Sequence, residues 1–447
     1  MFSTDDSIVA VATPPGRGGI GVVRISGPES RRIAEAMLTR REPLEARMAT
    51  FTRVAAKSTD VIDEVVATYF PAPRSYTGED VVEISAHGNP VVLQAIVVRA
   101  LEIGARLAEP GEFTLRAFLN GKRDLIQAEA VADLIAAATP MQARVACDQL
   151  EGTLTGQISE IDAELFSLIA SLEASLDFPD EGYHFIQPAE TSRRVAVVVG
   201  KIDALLSAAR RGRVIREGAT VVVVGRPNVG KSSIFNLLVG SDRAIVAAVA
   251  GTTRDLISEQ VDLDGLAVTL VDTAGAREAT DEIEREGIAR AERASGIATL
   301  LLIVLDGSQP LSRDDEQLLG RTSDRSSIVV TNKADLPAAF EREGGVSVSA
   351  RTGAGAEDLR RAIVRSLTGE ESLRDSAALS NVRHIELLTQ AHTRLVAAQR
   401  LVDIGDTPEE FVLADLQAAR AHLEEIVGAR TSESLLHHIF DKFCIGK

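Results

Sequence analysis

The stretch GRPNVGKS, Gly225 to Ser232, decides how this chain is read. It follows the valine run Val221–Val224 and precedes a helical pattern, so it fits G-x-x-x-x-G-K-S in a strand–loop–helix setting. Each position has a physical task. Glycines let backbone N–H groups approach phosphate oxygens, Lys231 neutralises β/γ oxygens, and the Ser232 hydroxyl is a ligand for Mg²⁺. Asn228, Val229, Gly230 and Ser233 complete the cradle.

Working outward, further pieces arrive in the order a nucleotide switch requires. Asp272-Thr273-Ala274-Gly275 follows the apolar run AVTLV, which puts Asp272 beside the metal and the Gly275 N–H at the γ-phosphate. Asn332-Lys333-Ala334-Asp335 follows SSIVVT. A carboxylate at Asp335 can accept from the N1 and exocyclic amine of guanine, whereas adenine presents no such donor pair and leaves it unpaired. Ser349-Ala350-Arg351 suits the loop behind the base, and Gly251-Thr252-Thr253-Arg254-Asp255 lies where switch threonines belong. The chain reads as a GTP-binding hydrolase. Ras-like enzymes carry a water-orienting glutamine after D-x-x-G, and here Ala276 stands in that place. The following stretch offers Glu278, Asp281, Glu282, Glu284 and Glu286, and residue type alone does not choose among them.

Strands alternate with helices around this cradle. The candidate strands 219–224, 267–271, 299–305, 327–331 and 346–348 predict a parallel sheet with crossovers. Residues 1–119 instead show short strand-like runs (SIVAVAT, GIGVVRIS, DEVVATYF, EDVVEIS) and two helical pieces, an α+β texture. Between them, Leu150, Leu154, Ile158, Ile161, Leu165, Leu168, Leu172 and Leu176 form one helical stripe ended by Pro179. Helical patterns resume after 375. The expected organisation is a front α+β domain (1–119), a helical domain in two pieces (120–217 and 375–447), and an α/β domain (218–374) inserted between them.

Bulk properties bound the function. A net charge of −17 over 447 residues argues against coating nucleic acid through a general basic field. Arg210, Arg211, Arg213 and Arg216 are the clearest local basic cluster, readable as a tRNA contact or as a solvated hinge. Two cysteines supply no disulfide framework, no signal peptide is read in MFSTDDS, and no apolar run spans a bilayer, so a cytoplasmic protein with no membrane partner is expected. The terminal Cys444-Ile445-Gly446-Lys447 has the length of a prenylation box. Gly446 stands where an aliphatic residue is wanted, however, and Leu435, Leu436, Ile439 and Phe443 predict a docked helical tail.

The chain resembles the MnmE/TrmE family of tRNA-modification GTPases almost end to end. The resemblance rests on ATPPGRGGIGVVRISG, SYTGEDVVEISAHGNP, PGEFTLRAFLNGKRDLIQAEAVADLI, LDFPDEG, GRPNVGKSS, AGTTRD, DTAGARE and FCIGK. It implies that the front domain binds a tetrahydrofolate derivative (5-formyl or 5,10-methylene) and dimerises. Arg24, Glu83, Lys122 and Lys447 match the folate positions. From residue types alone, Arg24 and Glu83 read equally well as a solvated strand face. The resemblance also implies that Glu284 orients the attacking water and that Ser232 and Thr253 hold Mg²⁺. Asn228 would bind K⁺ with the backbone around Ala247, Val249 and Thr252, although relatives often carry threonine at position 247. Cys444 is expected to be functional. As implied partners, the homodimer would join a flavin-dependent MnmG/GidA-type protein in a heterotetramer that modifies C5 of the wobble uridine of certain tRNAs. A stand-alone regulatory GTPase, of the kind that serves ribosome assembly, is the rival reading.

Overall fold

The computed structural model describes residues 5–57, 60–177, 186–241, 257–272, 298–369, 379–405 and 408–446. The chain divides into two compact units. One comprises Met1–Ala132, Gln149–Asp162 and Arg420–Lys447; the other comprises Asp133–Asp148 and Ala163–Ala419.

The first unit is built on a six-stranded sheet: β1 (Ile8–Val11), β2 (Gly18–Ser26), β3 (Thr50–Ala55), β4 (Val61–Phe70), β5 (Val81–Gly88) and β6 (Arg106–Leu107). The strand order is β3-β4-β5-β2-β1-β6, antiparallel throughout except where β6 runs parallel to β1. Alternation sorts the faces: in β4, Val65, Ala67 and Tyr69 point inward. They join Ile33 and Met37 of α1 (Ser30–Met37) and Leu93, Ile96 and Ala100 of α2 (Pro90–Ile103) in one core. Each such side chain contributes about 1.5–3 kcal/mol on burial. The ends of α2 follow from local chemistry. Asn89 accepts from Val91 N–H, Pro90 opens the helix, and Gly104 closes it in a left-handed conformation. The sequence reading missed β3 and β6. β6 spans two residues, and TFTRVA mixes threonine and arginine into a weak alternation.

Helix α3 (Glu112–Leu119) is held by ionic contacts to its first turns. Arg116 is 1% exposed and donates to Asp6, Glu79 and Glu112, while Arg106 donates to Asp6 and Glu112. A buried guanidinium is tolerated here because several carboxylates neutralise it. The tail helix Glu433–Phe440 packs Leu436, Ile439 and Phe440, with Phe443 beyond its end, against Leu115, Leu125 and Ala128. The expected dockable face is therefore present.

In the second unit the order is β12-β11-β10-β7-β9-β8, with β7 (Ala219–Val224), β8 (Ile257–Leu263), β9 (Leu266–Asp272), β10 (Leu300–Asp306), β11 (Ser327–Asn332) and β12 (Val346–Ser347). All neighbours are parallel except β8, which pairs antiparallel with β9. The parallel core matches the candidate strands, and β8 is an addition. Its turn, Asp264-Gly265, has φ of 52° and 94°, the backbone that an Asp-Gly hairpin adopts. Every residue of central β10 is buried, as expected for a strand covered on both faces.

The long helical stripe needs one correction. After α4 (Leu125–Ala136), Leu150 ends α5 (Pro140–Leu150), Gly152 turns the chain at φ 89°, and α6 (Thr153–Asp177) carries the rest. Pro179 lies outside the described residues. Helix α7 (Pro188–Glu217) packs along the helix Val382–Ile404, so helices on either side of the α/β segment meet. Among the described residues, no helix is long and apolar enough to cross a membrane.

Candidate functional site

The phosphate loop lies between β7 and α8 (Lys231–Ser241), where the parallel sheet delivers its carboxyl ends. Val229 is buried beneath it, while Asn228, Ser232 and Ser233 are exposed. Asn228 adopts φ 66°, a left-handed conformation that asparagine tolerates better than most residues. Gly230, at φ 99°, has no room for a Cβ because the Asn332 side-chain amide stands against it. Lys231 donates to the Arg226 carbonyl at 2.8 Å. Burial pushes its ammonium below the usual lysine range even though Asp272 opposes that shift. Asp272 itself ends β9 and is 2% exposed, directly beside β7 in the register.

The residues expected to read the base are tied to this loop by hydrogen bonds. Asn332, 3% exposed, donates to Val229 O at 2.9 Å and accepts from Ala350 N–H at 3.1 Å. One side chain thus links the phosphate loop to the loop at Ser349. Asp335 accepts from the Ser349 hydroxyl at 2.7 Å, and Arg351 lies 3.7 Å from its other oxygen. The Ser349 hydrogen bond holds the Asp335 carboxyl below the ordinary range, so it is an acceptor at neutral pH. Lys333 donates to Asp306 at 2.5 Å.

One contact escaped the sequence reading. Arg226, inside the loop, donates to Asp315 at 2.8 Å. Asp315 is 2% exposed and also completes a capping box with Ser312 at the start of the helix Arg313–Arg321. Ser312-x-x-Asp315 is a legible cap, but nothing in the sequence joins it to Arg226 across 89 positions. Of the basic cluster, Arg213 pairs with Glu217 and Arg216 with Asp133.

In the first unit, Arg24 and Glu83 face each other across β2 and β5, and Arg24 Nε donates to Glu83 Oε1 at 2.9 Å. The Arg24 guanidinium lies 4.9 Å from the Tyr76 ring centroid and 5.6 Å from that of Phe113. Tyr76 is fixed by a 2.9 Å hydrogen bond between its hydroxyl and that of Thr114. The stem of Lys122 lies over Gly78, two residues further on. Ile445 bridges to Pro110, the Cys444 carbonyl accepts from Gly111 N–H at 3.4 Å, and Gly446 packs against the carbonyl of Val11. Val11 pairs with Val23, next to Arg24, so the tail reaches the same region as the Arg24–Glu83 pair. The Cys444 thiol is exposed.

Ala247, Val249, Gly251, Thr252, Thr253, Thr273, Ala274, Gly275, Glu284 and Lys447 lie outside the described residues.

Residues 125–444 match the family described as the MnmE helical domain, and residues 7–122 match the one described as the N-terminus of the GTP-binding protein TrmE. The chain is 46% identical over 455 residues to the tRNA modification GTPase MnmE of Koribacter versatilis, covering 100% of each. It is 44% identical over 454 residues to that of Aromatoleum aromaticum, covering 100% of this chain and 99% of the relative. It is 41% identical over 455 residues to that of Nitrosomonas eutropha, covering 100% of both.

Proposed function

Since the chain belongs to the MnmE/TrmE family of tRNA-modification GTPases, we propose that it hydrolyses GTP in the service of tRNA modification. With a flavin-dependent MnmG/GidA-type partner, it adds a carboxymethylaminomethyl or aminomethyl group to C5 of the wobble uridine of certain tRNAs. It works in the cytoplasm as a homodimer, assembled with that partner into a heterotetramer. Residues 1–119 form the tetrahydrofolate-binding domain, 218–374 a Ras-like P-loop domain, and 120–217 with 375–447 the helical domain into which the latter is inserted. The observation that carries the reading is the full-length match at 46% identity, and the Asn332 link between phosphate loop and base reader supports it.

The residues present fit the ligands this implies. Buried Asp272 and the exposed Ser232 hydroxyl give an oxygen set suited to Mg²⁺, which Thr253 completes. Asn228 serves K⁺, with the backbone of Ala247, Val249 and Thr252. Glu83 commits Oε1 to Arg24, and its second oxygen suits the N–H donors of a pterin. When bound, the two cations neutralise charge on the transferring phosphoryl group, and the folate supplies the one-carbon unit.

The chain's own residues do the rest. Lys231 exchanges the Arg226 carbonyl for β/γ oxygens, and backbone N–H groups of Val229, Gly230, Ser232 and Ser233 surround the phosphates. Asp335 accepts from guanine, backed by Ser349, Ala350 and Arg351. Glu284 orients the attacking water in place of the missing glutamine. Arg24, Glu83, Lys122 and Lys447 hold the folate, with Cys444 beside them. GTP turnover by the purified protein tests the hydrolytic half. We expect faster turnover in KCl than in NaCl at equal ionic strength, and Glu284→Ala to bind GTP without hydrolysing it. Equal rates in the two salts would remove K⁺ from the Asn228 site, and turnover retained by Glu284→Ala would move the water-orienting role to another acid.

A further inference from the structure

The Tyr76 ring carries a second cation that none of the folate positions above accounts for. Arg123 lies 5.5 Å from the Tyr76 centroid, on the ring that Arg24 also approaches at 4.9 Å. The two guanidiniums are not equivalent. Arg24 is neutralised by Glu83, whereas Arg123 makes no ion pair or hydrogen bond among the described residues. It is half-buried rather than extended into solvent. The ring beneath it is held by the Thr114 hydroxyl, and Thr114 is itself fully buried. The turn that carries Arg123 is fixed as well, since Asn120 donates to Thr77 O at 2.9 Å and the Lys122 stem covers Gly78. Three cations, Arg24, Lys122 and Arg123, therefore surround the loop at Tyr76. Glu83 neutralises one of them. Of the other acids near this loop, Glu79 is engaged by Arg116 and by the Ser26 hydroxyl, Asp80 accepts from Ala72 N–H, and Asp124 accepts from Gln127 N–H and the Thr155 hydroxyl.

We propose that Arg123 is an anion-recognition residue that takes a carboxylate of the ligand's glutamate moiety, so that the site selects glutamate-bearing reduced folates over the bare pteroyl group. The inference rests on the folate reading above. Its logic is charge balance. Like charges gathered on one ring repel, and a preorganised, unpaired guanidinium favours a planar carboxylate that can accept two hydrogen bonds. Arg123, without an ion pair among the described residues, is left to meet a glutamyl carboxylate, while Glu83 at the other side keeps an acceptor for the pterin.

The test is equilibrium binding of two ligands to the full-length protein: 5-formyltetrahydrofolate and 5-formyltetrahydropteroate, which lacks the glutamate. The variants are Arg123→Met, which keeps an unbranched stem on the Tyr76 ring, and Arg123→Lys, which keeps the charge. Wild type should prefer the folate by about tenfold or more, the scale of one charge-assisted hydrogen bond. Arg123→Met should close that gap by weakening the folate alone, and Arg123→Lys should restore part of it. A gap unchanged in Arg123→Met, or equal weakening of both ligands, overturns the assignment while leaving the folate site intact. Wild-type protein that binds neither ligand removes the folate reading itself, and the Arg123 role with it.

Discussion

At the scale of single residues, side-chain hydrogen bonds tie the phosphate loop to the segments at Asn332–Asp335 and Ser349–Ala350. Asn332 uses its amide N–H toward Val229 and its amide oxygen toward Ala350, so the two loops cannot drift independently. Asp335 is preset as an acceptor by Ser349. On the proposed guanine-reading role, Asp335→Asn exchanges an acceptor for a donor toward the guanine N–H groups. GTP affinity should fall by about a hundredfold, the order expected when polar groups are left unpaired, and xanthosine triphosphate should bind in its place. Competition binding with the two nucleotides checks this; unchanged GTP preference would move base reading elsewhere. These motif residues were legible in the sequence because chemistry fixes their types at short spacing. From residue types alone Arg24 and Glu83 were legible as strand residues, and only the resemblance marked them for the folate, since their pairing depends on a register between β2 and β5 that spacing does not reveal. Asp315 sits in a run with Asp314 and Glu316, and only the fold singles it out as the partner of Arg226.

At the scale of elements, two ends carry most of the positioning. The helix Arg313–Arg321 begins with a carboxylate that caps it and also holds the phosphate loop through Arg226. Burial alone would raise the Asp315 pKa, but the hydrogen bonds from Arg226 and Ser312 outweigh it and hold the group below its ordinary value. The stability it contributes is therefore complete above about pH 4, the unfolded value, and declines as pH falls further through the folded one. Asp315→Ala should lower stability by about 1–2 kcal/mol from the cap alone and weaken GTP binding, with the difference from wild type shrinking in acid. Denaturation at pH 7 and pH 3 reads this out, and a pH-independent difference would exclude the carboxylate as its source. The second end is the tail. Gly446 has φ 97°, and a Cβ there would collide with the Val11 carbonyl. Gly446→Ala should free the tail and cost about 1–3 kcal/mol, seen as faster tryptic cleavage after Lys442. An unchanged digestion rate would mean that the helix Glu433–Phe440 suffices to hold the tail. The sequence foretold that helix from its apolar face. It did not foretell that Pro110 and Val11 receive the last residues, because those contacts join the far ends of the chain.

At the scale of the whole molecule, the alternation of strands and helices after Val221 was enough to predict the parallel sheet, and the apolar stripes enough to predict the helices. Missed elements were those with little pattern: two-residue β6, polar β3, and β8, whose pairing depends on the Asp264-Gly265 turn. A net charge of −17, with Arg213 and Arg216 already paired, argues against a general basic field for nucleic acid. The proposed activity couples GTP turnover to wobble-uridine modification. Mass spectrometry of tRNA nucleosides from cells lacking the gene, complemented with wild type or with Lys231→Ala, tests it most directly. The C5 aminomethyl-type uridines should disappear in the deletion, return with wild type, and stay absent with the lysine variant. Wobble uridines modified normally without the gene would contradict it.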